Sequence, residues 1–561
     1  MTCADLIAEW LVTAGVDTVF GHTGGRILPL VQSLNARRDV RFVCAAHEQG
    51  AAFMAEAYAR IRGLGCAVST SGPGATNLVT GVASAYYDGV PLVAVTGQSE
   101  LADFGRGGIQ EGSGRNRSPD VQRMFAAVTK SSLRVESPEA LPSILARSLD
   151  EAISGRKGPV HVDVPYDVLT APAPAGAAPR GGSRRDPCPN PDDVAPLLRL
   201  LARAERPCLI LGGGAVGQLE VVERILRACD RADLPFCNTL AARGRVDEAS
   251  PLYLGQVGVY GQDIANEYVL EVADLVVYVG VSFQYLSTLG WRRGRGALAS
   301  VNIEPAAAGA PPGPAFRMSA AQFAAALDAE PLERRGPDPR PAIAARREAL
   351  GFYPQRRLLN LGACACGRGH ALNPALAVRL LTDSFPADAP VILDSGENAY
   401  WSMMSARLHR GQRLFANAGL GAMAYGVGAA VGLSHALAER RPTILSLIGD
   451  GGLLMGQGDL STPPAPGSRI VWVVFANGIF GTQKHWQRDH YEGLFGGTDL
   501  PPIDYRALCQ AMGLAHRAVA DPAALEQACR EAGSGPSRQL WELSICPELK
   551  PLQALGARLV K

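Results

Sequence analysis

The chain has no excess of charge of either sign. Its 54 Lys and Arg residues are balanced by 53 Asp and Glu residues, so the formal net charge is +1. A nearly neutral chain has no overall field to hold a polyanion such as DNA or an anionic membrane surface. We therefore expect no nucleic acid and no membrane among its partners, and any basic site must be local.

Long hydrophobic runs are also missing. No stretch approaches the ~18 uninterrupted apolar residues that cross a bilayer. Asp5, Glu9 and Asp17 stand where a signal peptide would need an apolar core. These two absences predict a cytoplasmic location.

Cysteine pairs with the spacing of metal ligands are absent as well. None of the 12 cysteines belongs to a CxxC pair. The closest group is Cys364, Cys366 and His370, but its CxC spacing has no matching second pair. The pattern favours buried or surface thiols over a metal site.

Short aliphatic runs alternate with helical stretches along the whole chain. Examples lie at 67–70, 92–96, 160–164, 209–211, 275–279 and 391–393. Continuously apolar strands separated by helices are typical of parallel sheets that are covered on both faces. The expected fold class is therefore α/β, with doubly wound parallel sheets.

Two segments interrupt this alternation, at 171–191 and 331–371. Both contain dense Pro and Arg, with Ala and Gly in the first, and such compositions bury little apolar surface. We interpret them as linkers. They divide the chain into units 1–170, 192–330 and 372–561, in line with roughly 150 residues per domain.

The C-terminal unit contains a glycine turn that fits a phosphate and a metal ion. A predicted strand at 445–448 runs into Gly-Asp-Gly-Gly at 449–452, and a second at 470–475 is followed by Asn477. Glycines let the backbone approach a phosphate closely. Asp450 and Asn477, 27 residues apart, offer the hard oxygen ligands that Mg²⁺ takes beside phosphates. A Gly-Asp-Gly turn alone is often a simple strand-to-helix turn, but its combination with Asn477 favours the metal site.

A carboxylate opens an apolar helix near the N-terminus. Residues 47–52 read His-Glu-Gln-Gly-Ala-Ala, and the following residues are rich in alanine. Burial of Glu48 there would require a partner. For an isolated glutamate, a first-turn acid favoured by the helix dipole is the simpler interpretation. The residues alone leave both interpretations open.

Together these motifs resemble those of thiamine diphosphate-dependent enzymes, and in particular of acetolactate synthases. The similarity runs almost end to end. It includes the glycine-rich loops at 19–30 and 71–77, the Thr-Gly-Gln at 96–98, Gln110 with Glu111, and Trp486 with Gln487. The resemblance implies three domains that are pyrimidine-binding, central and diphosphate-binding.

The resemblance also implies roles for individual residues. Glu48 would hydrogen-bond the pyrimidine N1′ and favour the tautomer whose N4′ deprotonates thiazolium C2, with Gln110 as a second catalytic candidate. Asp450, Asn477 and the carbonyl of Ile479 would bind Mg²⁺. The implied cofactor contacts are Gly24, Pro73, Asn77, Gly396, Glu397, Asn398, Gly421, Met423, Gly449, Asp450, Gly451, Gly452, Asn477 and Ile479. Met423 would support the bent cofactor, although a methionine in such a run is more often ordinary core.

The implied activity decarboxylates pyruvate or a similar 2-keto acid and transfers the acyl carbanion equivalent to a second carbonyl. A simple decarboxylase or lyase shares every cofactor contact and stays open. A catalytically silent paralogue is the alternative outside the enzymes, and the retention of Glu48, Asp450 and Asn477 argues against it. In the family the glutamate and the metal site belong to different subunits, which implies a homodimer or homotetramer with interfacial active sites.

Departures from the family cluster where substrate is chosen. His22 and Thr23 replace a Tyr-Pro pair, 482–485 differs, and about seven residues are inserted around 112–119. The insert carries Arg115 and Arg117, and these residues with Trp486 are candidate substrate contacts. A solvated loop is the simpler interpretation, but two arginines could also grip a phosphate or carboxylate on an unusual acceptor. A second pyruvate is the family default for the acceptor, and a specialised metabolite or sugar ketone stays open.

Other departures concern the cofactors. Ala476 precedes Asn477 where paired asparagines are common, and Glu397 stands where glutamine is usual. An anionic Glu397 near a phosphate would be unfavourable unless it points away. Acetolactate synthases hold a non-redox FAD on the central domain, but the Gly-Gly-Gly at 212–214 is a weak signal and 283–285 differs from the family pattern. FAD and an empty or ADP-binding central domain both stay open.

Overall fold

The computed structural model describes residues 1–177, 191–288, 290, 294–304, 313–332, 336–350, 372–409 and 412–551. Three six-stranded sheets follow one another along the chain. They confirm the predicted fold class of three doubly wound α/β domains. The candidate metal group Cys364, Cys366 and His370 lies outside the described residues.

The first sheet belongs to the N-terminal domain. Its strands are β1 (Thr18–Gly21), β2 (Arg41–Cys44), β3 (Gly65–Ser69), β4 (Leu92–Gln98), β5 (Ser132–Arg134) and β6 (Val160–Pro165). They lie in the order β2-β1-β3-β4-β6-β5 and all pair in parallel. The α-helices around this sheet are Cys3–Thr13, Leu28–Asn35, Glu48–Arg62, Pro73–Asp88, Val121–Ala126, Leu141–Ile153 and Tyr166–Thr170. Strands β3, β4 and β6 are buried along their whole length, which explains their uninterrupted apolar character.

The second sheet belongs to the central domain. Its strands are β7 (Pro207–Leu211), β8 (Phe236–Asn238), β9 (Tyr253–Gln256), β10 (Leu275–Val279), β11 (Ala297–Asn302) and β12 (Ala315–Arg317). The order β12-β11-β10-β7-β8-β9 is that of dinucleotide-binding folds. The α-helices of this part of the chain are Pro191–Arg203, Leu219–Arg231, Asp263–Glu267, Ala320–Ala329 and Arg340–Leu350. The last helix occupies part of the segment that we interpreted as a linker, and its Ile343 is buried in the core of this domain.

The third sheet belongs to the C-terminal domain and repeats the topology of the first. Its strands are β13 (Val391–Leu393), β14 (Leu414–Ala416), β15 (Thr443–Gly449), β16 (Arg469–Ala476), β17 (Ala515–Val519) and β18 (Arg538–Ser544). They lie in the order β14-β13-β15-β16-β18-β17. The α-helices are Pro374–Ser384, Glu397–Ser405, Tyr425–Ala436, Asp450–Gly456, Gly481–His490, Tyr505–Met512 and Pro522–Glu531. The connections diverge between β13 and β15, so a ligand crevice is expected at the carboxyl ends of these strands.

The N-terminal and C-terminal domains share one hydrophobic core. The helix Glu48–Arg62 crosses the helix Tyr425–Ala436, and glycines let their backbones approach closely. A Cβ on Gly432 would lie 2.0 Å from the carbonyl oxygen of Met54, so no larger residue fits there. No described helix is long and apolar enough to cross a membrane.

A hydrogen bond to a buried carboxyl links the two helices at this crossing. Glu56 is fully buried and accepts a hydrogen bond from the Tyr425 hydroxyl at 2.8 Å and another from Arg60 Nε at 2.6 Å. Arg60 also bonds Asp88 at 2.8 Å. Burial raises the pKa of Glu56, and the Arg60 charge opposes that rise. The Tyr425–Glu56 hydrogen bond therefore links the two helices, and the ion pair of Glu56 with Arg60 within one helix balances the buried charge.

Candidate active site

The two predicted metal ligands meet at one edge of the third sheet. Asp450 directly follows β15 and Asn477 directly follows β16, and these strands pair in parallel register up to Gly449 and Phe475. The Asp450 Oδ2 atom accepts the backbone N–H of Asn477 at 2.9 Å and that of Gly478 at 2.6 Å. The structure thus brings both residues together, as their spacing predicted.

The Asp450 carboxyl is buried, with only 2% of the residue exposed. Its Oδ1 atom accepts a hydrogen bond from the Tyr505 hydroxyl. Burial raises the pKa of Asp450, and the hydrogen bonds from Tyr505, Gly478 and Asn477 oppose the rise. No cationic side chain in the described part of the chain forms an ion pair with it. A bound cation would supply the missing positive charge.

The oxygen atoms available here suit magnesium. A cavity of about 700 Å³ is lined by Asp450, Asn477 and Ile479, among other residues. The Asn477 side-chain oxygen accepts the backbone N–H of Ile479 at 3.1 Å, which closes the turn on itself. One carboxylate, one amide and one main-chain carbonyl are the hard ligands that Mg²⁺ takes when phosphates complete its shell. The donor set therefore fits a magnesium diphosphate.

The predicted phosphate loop follows β13. Gly396 has φ of +128°, a conformation that favours glycine. The Asn398 side chain donates hydrogen bonds to the carbonyl of Asp394 at 3.1 Å and of Leu447 at 2.9 Å. Asn398 thus ties the loop to the neighbouring strand β15, and its amide nitrogen is used within the protein.

Glu397 has a partner within the protein. Its Oε1 atom lies 2.6 Å from Nδ1 of His485, and Nε2 of His485 lies 2.9 Å from the carbonyl oxygen of Pro547. Both side chains are largely buried. Both ring nitrogens of His485 thus lie within hydrogen-bond distance of an oxygen atom. The anionic charge that looked unfavourable beside a phosphate is therefore directed at a histidine.

Met423 lies close to Gly451 of the turn at 449–452, which we call the metal turn. A Cβ on Gly451 would lie 2.8 Å from the Met423 Cε atom and 2.2 Å from a ring carbon of Phe480. Gly421, two residues before Met423, has φ of +68°. Met423 therefore lies against the turn at 449–452, where a wedge for a bent cofactor would be needed.

Asp394 belongs to this site, although the sequence did not single it out. Its carboxyl oxygens accept the backbone N–H groups of Ala424 at 3.2 Å and Gly426 at 3.3 Å. Burial raises its pKa to about 7, against these hydrogen bonds. A Cβ on Gly452 would lie 1.9 Å from its Oδ2 atom, so that glycine is needed for packing. The available signal was its position directly after a predicted strand, the same signal that indicated Asp450.

Glu48 lies in the N-terminal domain at the first position of its helix. It is 8% exposed, and its Oε2 atom accepts a hydrogen bond from the Asn77 amide at 3.0 Å. His47 caps the helix and accepts the backbone N–H of Gln49 at 3.1 Å. The partner that burial of Glu48 required is therefore an amide, which orients the carboxylate without neutralising it.

The remaining predicted residues of this domain surround the same sheet edge. A Cβ on Gly24 would lie 2.5 Å from the side chain of Thr70, so the two loops after β1 and β3 are in contact. Pro73 begins the helix after β3 and is exposed. Gln110 has φ of +60° and packs on Gly72, where an added Cβ would lie 2.9 Å from the Cβ of Gln110. Gly24, Pro73 and Gln110 thus lie near the loop at 70–74, where a Cβ on Gly74 would lie 3.3 Å from the Glu48 Oε1 atom.

The segment that we interpreted as inserted, around 112–119, directly follows a buried acid, Glu111. Glu111 accepts the backbone N–H of Gly105 at 2.6 Å and that of Gly107 at 3.1 Å. It is 3% exposed, whereas Arg115 and Arg117 of the same segment are exposed. The loop is therefore ordered around Glu111 and presents both arginines to solvent.

The other candidate substrate contacts lie on different domains. His22 Nδ1 is 2.8 Å from the carbonyl oxygen of Ala45, and the adjacent Thr23 is exposed. Trp486 is 56% exposed and packs on the His490 ring at 4.0 Å between centroids. The structure of one chain does not bring these residues together.

A single chain holds two separate half-sites. Every residue that lines the cavity at the metal turn lies between 450 and 548. Glu48 is not among them, and no hydrogen bond or ion pair joins Glu48 to Asp450 or Asn477 in the described part of the chain. Glu48 and the turn at 449–452 are therefore described as two half-sites of one chain.

Comparison with known proteins gives a consistent result. Family models match residues 1–116 as the N-terminal thiamine pyrophosphate-binding domain of thiamine pyrophosphate enzymes, 194–327 as their central domain and 394–538 as their C-terminal binding domain. The chain is 32% identical to acetolactate synthase isozyme 2 large subunit of Escherichia coli, over 90% of this chain and 89% of that protein. It is 32% identical to the acetolactate synthase large subunit of Parasynechococcus marenigrum, over 95% and 85%. It is 30% identical to the chloroplastic acetolactate synthase of Arabidopsis thaliana, over 87% and 72%.

Proposed function

Because the chain belongs to the thiamine diphosphate-dependent enzymes of the acetolactate synthase type, we propose that it is a carboligase. It would decarboxylate pyruvate or a similar 2-keto acid and transfer the acyl unit to a second carbonyl. The observation that carries this proposal is the preservation of both half-sites. Asp450, Asn477 and Ile479 line one cavity, and Glu48 is oriented by Asn77 in the other domain.

Each half-site has a defined task. Thiamine diphosphate supplies, when bound, the carbon nucleophile that no side chain provides. Asp450, Asn477 and the Ile479 carbonyl would hold Mg²⁺, and with it the diphosphate. Glu48 would hold a proton at N1′ of the pyrimidine, and Asn77 keeps its carboxylate in place. Met423 would fill the space under the bent cofactor.

A complete site would require two chains. Glu48 of one chain and the metal turn of its partner would face the same cofactor, which makes a homodimer the smallest active unit. The separation of the two half-sites within one chain supports this arrangement. A homotetramer would contain the same sites twice.

The assembly is tested by mixing two inactive variants, Glu48→Gln and Asp450→Asn. If sites form between chains, a mixed dimer has one doubly altered site and one intact site. Random reassociation of equal amounts should then restore about one quarter of the original activity, because half of the dimers are mixed. Sites within single chains would give no recovery, since every chain carries a defect. The measurement is the rate of pyruvate consumption after the chains are dissociated and reassociated.

The reaction type is tested with purified protein, pyruvate, thiamine diphosphate and Mg²⁺. A carboligase should release CO₂ at a rate that rises with added acceptor carbonyl and should form a product containing both units, identified by mass. Free aldehyde formed at the same rate without any acceptor would instead identify the alternative, a simple decarboxylase. Protein kept in a chelator is the matched control and should show neither product.

FAD binding remains a prediction without further support. The glycines at 212–214 pack against the loop after β10, where a Cβ on Gly212 would lie 2.3 Å from the carbonyl oxygen of Gly280. This packing accounts for glycine at that position without a nucleotide. The strand order of the central domain is compatible with a dinucleotide, and the absorbance spectrum of the purified protein would show a bound flavin.

Arg115 and Arg117 remain our candidate contacts for an anionic acceptor.

A further inference from the structure

A buried carboxylate of the C-terminal domain contacts the segment that carries Glu48. Asp459 is 4% exposed and lies in the turn Gln457–Ser461, directly after the helix Asp450–Gly456. Its Oδ1 atom accepts the backbone N–H of Ala46 at 2.9 Å, and the backbone N–H of His47 also donates to the carboxyl. Ala46 and His47 are the two residues immediately before Glu48.

Close packing fixes this contact. A Cβ on Gly50 would lie 1.7 Å from the Asp459 Oδ2 atom, and a Cβ on Gly458 would lie 3.2 Å from that of Ala46. The carboxylate therefore lies against the N-terminal end of the helix Glu48–Arg62, where backbone N–H groups and the helix dipole favour negative charge. Burial nevertheless raises the pKa of Asp459 to about 6. A buried acid that accepts two consecutive backbone N–H groups is a strong constraint on where the helix begins.

We propose that Asp459 is a positioning residue for Glu48, and that the stretch 450–461 joins the two active sites of a dimer. The inference rests on the proposed function, in which Glu48 serves the cofactor held by the partner subunit. Asp450 at the start of this stretch holds the metal of one site. Asp459 near its end sets the helix whose Glu48 acts in the other site. A change at Asp459 should therefore alter the site that uses Glu48 of its own chain.

The contact itself is tested in the metal-free and cofactor-free protein with Asp459→Asn. The asparagine keeps one acceptor oxygen but directs an N–H group toward a backbone donor. The amides of Ala46 and His47 should then exchange with deuterium at least about 10-fold faster, because one amide loses its acceptor and the other bonds a neutral oxygen in place of a charged one. The temperature of unfolding should stay close to that of the unaltered chain. Ser461→Ala, exposed in the same turn, is the control, and unchanged protection at Ala46 and His47 in Asp459→Asn would overturn the proposal.

The link between sites is tested in mixed dimers that have one working site. In the first mixture, Asp459→Asn is added to the Asp450→Asn chain, which contributes the working Glu48. In the second, it is added to the Glu48→Gln chain, which contributes the working metal turn. The first mixture should lose about 10-fold in kcat with KM for pyruvate unchanged, because a displaced Glu48 slows a step after binding. The second mixture should match the mixture without Asp459→Asn.

Equal losses in both mixtures, which a general folding defect would produce, or a loss in the second alone would overturn the link. The mixture without Asp459→Asn separates this failure from that of the proposed function. If that mixture shows no recovery, the site between chains is wrong, and the link falls with it. If it recovers and the two Asp459 mixtures behave alike, only the role of Asp459 is wrong.

Discussion

Replacement of Glu48 by glutamine should slow exchange of the thiamine C2 proton by at least about 100-fold, the usual contribution of a general acid or base. Glutamine keeps the oxygen that accepts the Asn77 hydrogen bond, so the helix start and the fold should be retained. It cannot give or take the proton at N1′. Hydrogen–deuterium exchange at C2, followed by NMR after rapid acid quench, measures the step directly.

The binding of cofactor distinguishes this result from a damaged site. Thiamine diphosphate and Mg²⁺ should bind Glu48→Gln with an affinity close to that of the unaltered protein, because the metal turn is untouched. Glu136→Gln, an exposed residue of the same domain, is the matched control and should exchange normally. An unchanged C2 exchange rate in Glu48→Gln would remove Glu48 from the mechanism.

Replacement of Asp450 by asparagine should weaken binding of thiamine diphosphate by at least about 100-fold. Loss of residues that merely orient metal ligands costs 10- to 100-fold in metal affinity, so loss of a charged ligand should cost no less. The asparagine oxygen can still accept the backbone N–H groups of Asn477 and Gly478, and its amide can donate to the Tyr505 oxygen. The fold should therefore survive while the proposed metal site loses the carboxylate among its three ligands.

Two calorimetric titrations with thiamine diphosphate measure this effect. One is done in the presence of Mg²⁺ and the other in the presence of a chelator. In the unaltered protein the two titrations should differ strongly, and in Asp450→Asn they should become similar. Asp383→Asn, an exposed acid paired with Arg379 in the same domain, should behave like the unaltered protein because such surface pairs contribute little. Binding of thiamine diphosphate that still requires Mg²⁺ and is equally tight in Asp450→Asn would exclude Asp450 as a ligand.

Several features could be predicted from the sequence because their signals are local. Continuous apolar runs indicated buried parallel strands, since a strand covered on both faces has no polar side. The Gly-Asp-Gly turn and Asn477 each follow such a strand, and parallel strands place their carboxyl ends at one edge, so their proximity followed from spacing. The helix opened by Glu48 was likewise visible in the segment 47–52.

Other features depend on residues far apart in the chain. The Tyr505 hydroxyl reaches Asp450 across 55 positions, and Glu397 meets His485 across 88. No periodicity or turn rule connects such pairs, because a side-chain contact between separate elements depends on how those elements pack. The sequence indicated an unfavourable charge at Glu397 beside the phosphate loop. Only the tertiary structure shows that this side chain faces His485.

The sequence by itself determined the strand-and-helix alternation, the three-domain α/β class and the proximity of Asp450 to Asn477, because each arises from neighbouring residues or from one strand end beside the next. Only the tertiary structure decided that Glu48 and Asp450 lie in separate half-sites of one chain, and that Asp459 contacts the start of the Glu48 helix. Those relations depend on the crossing of Glu48–Arg62 with Tyr425–Ala436, where close approach of the backbones and the hydrogen bond from Tyr425 to the buried Glu56 hold the two domains together.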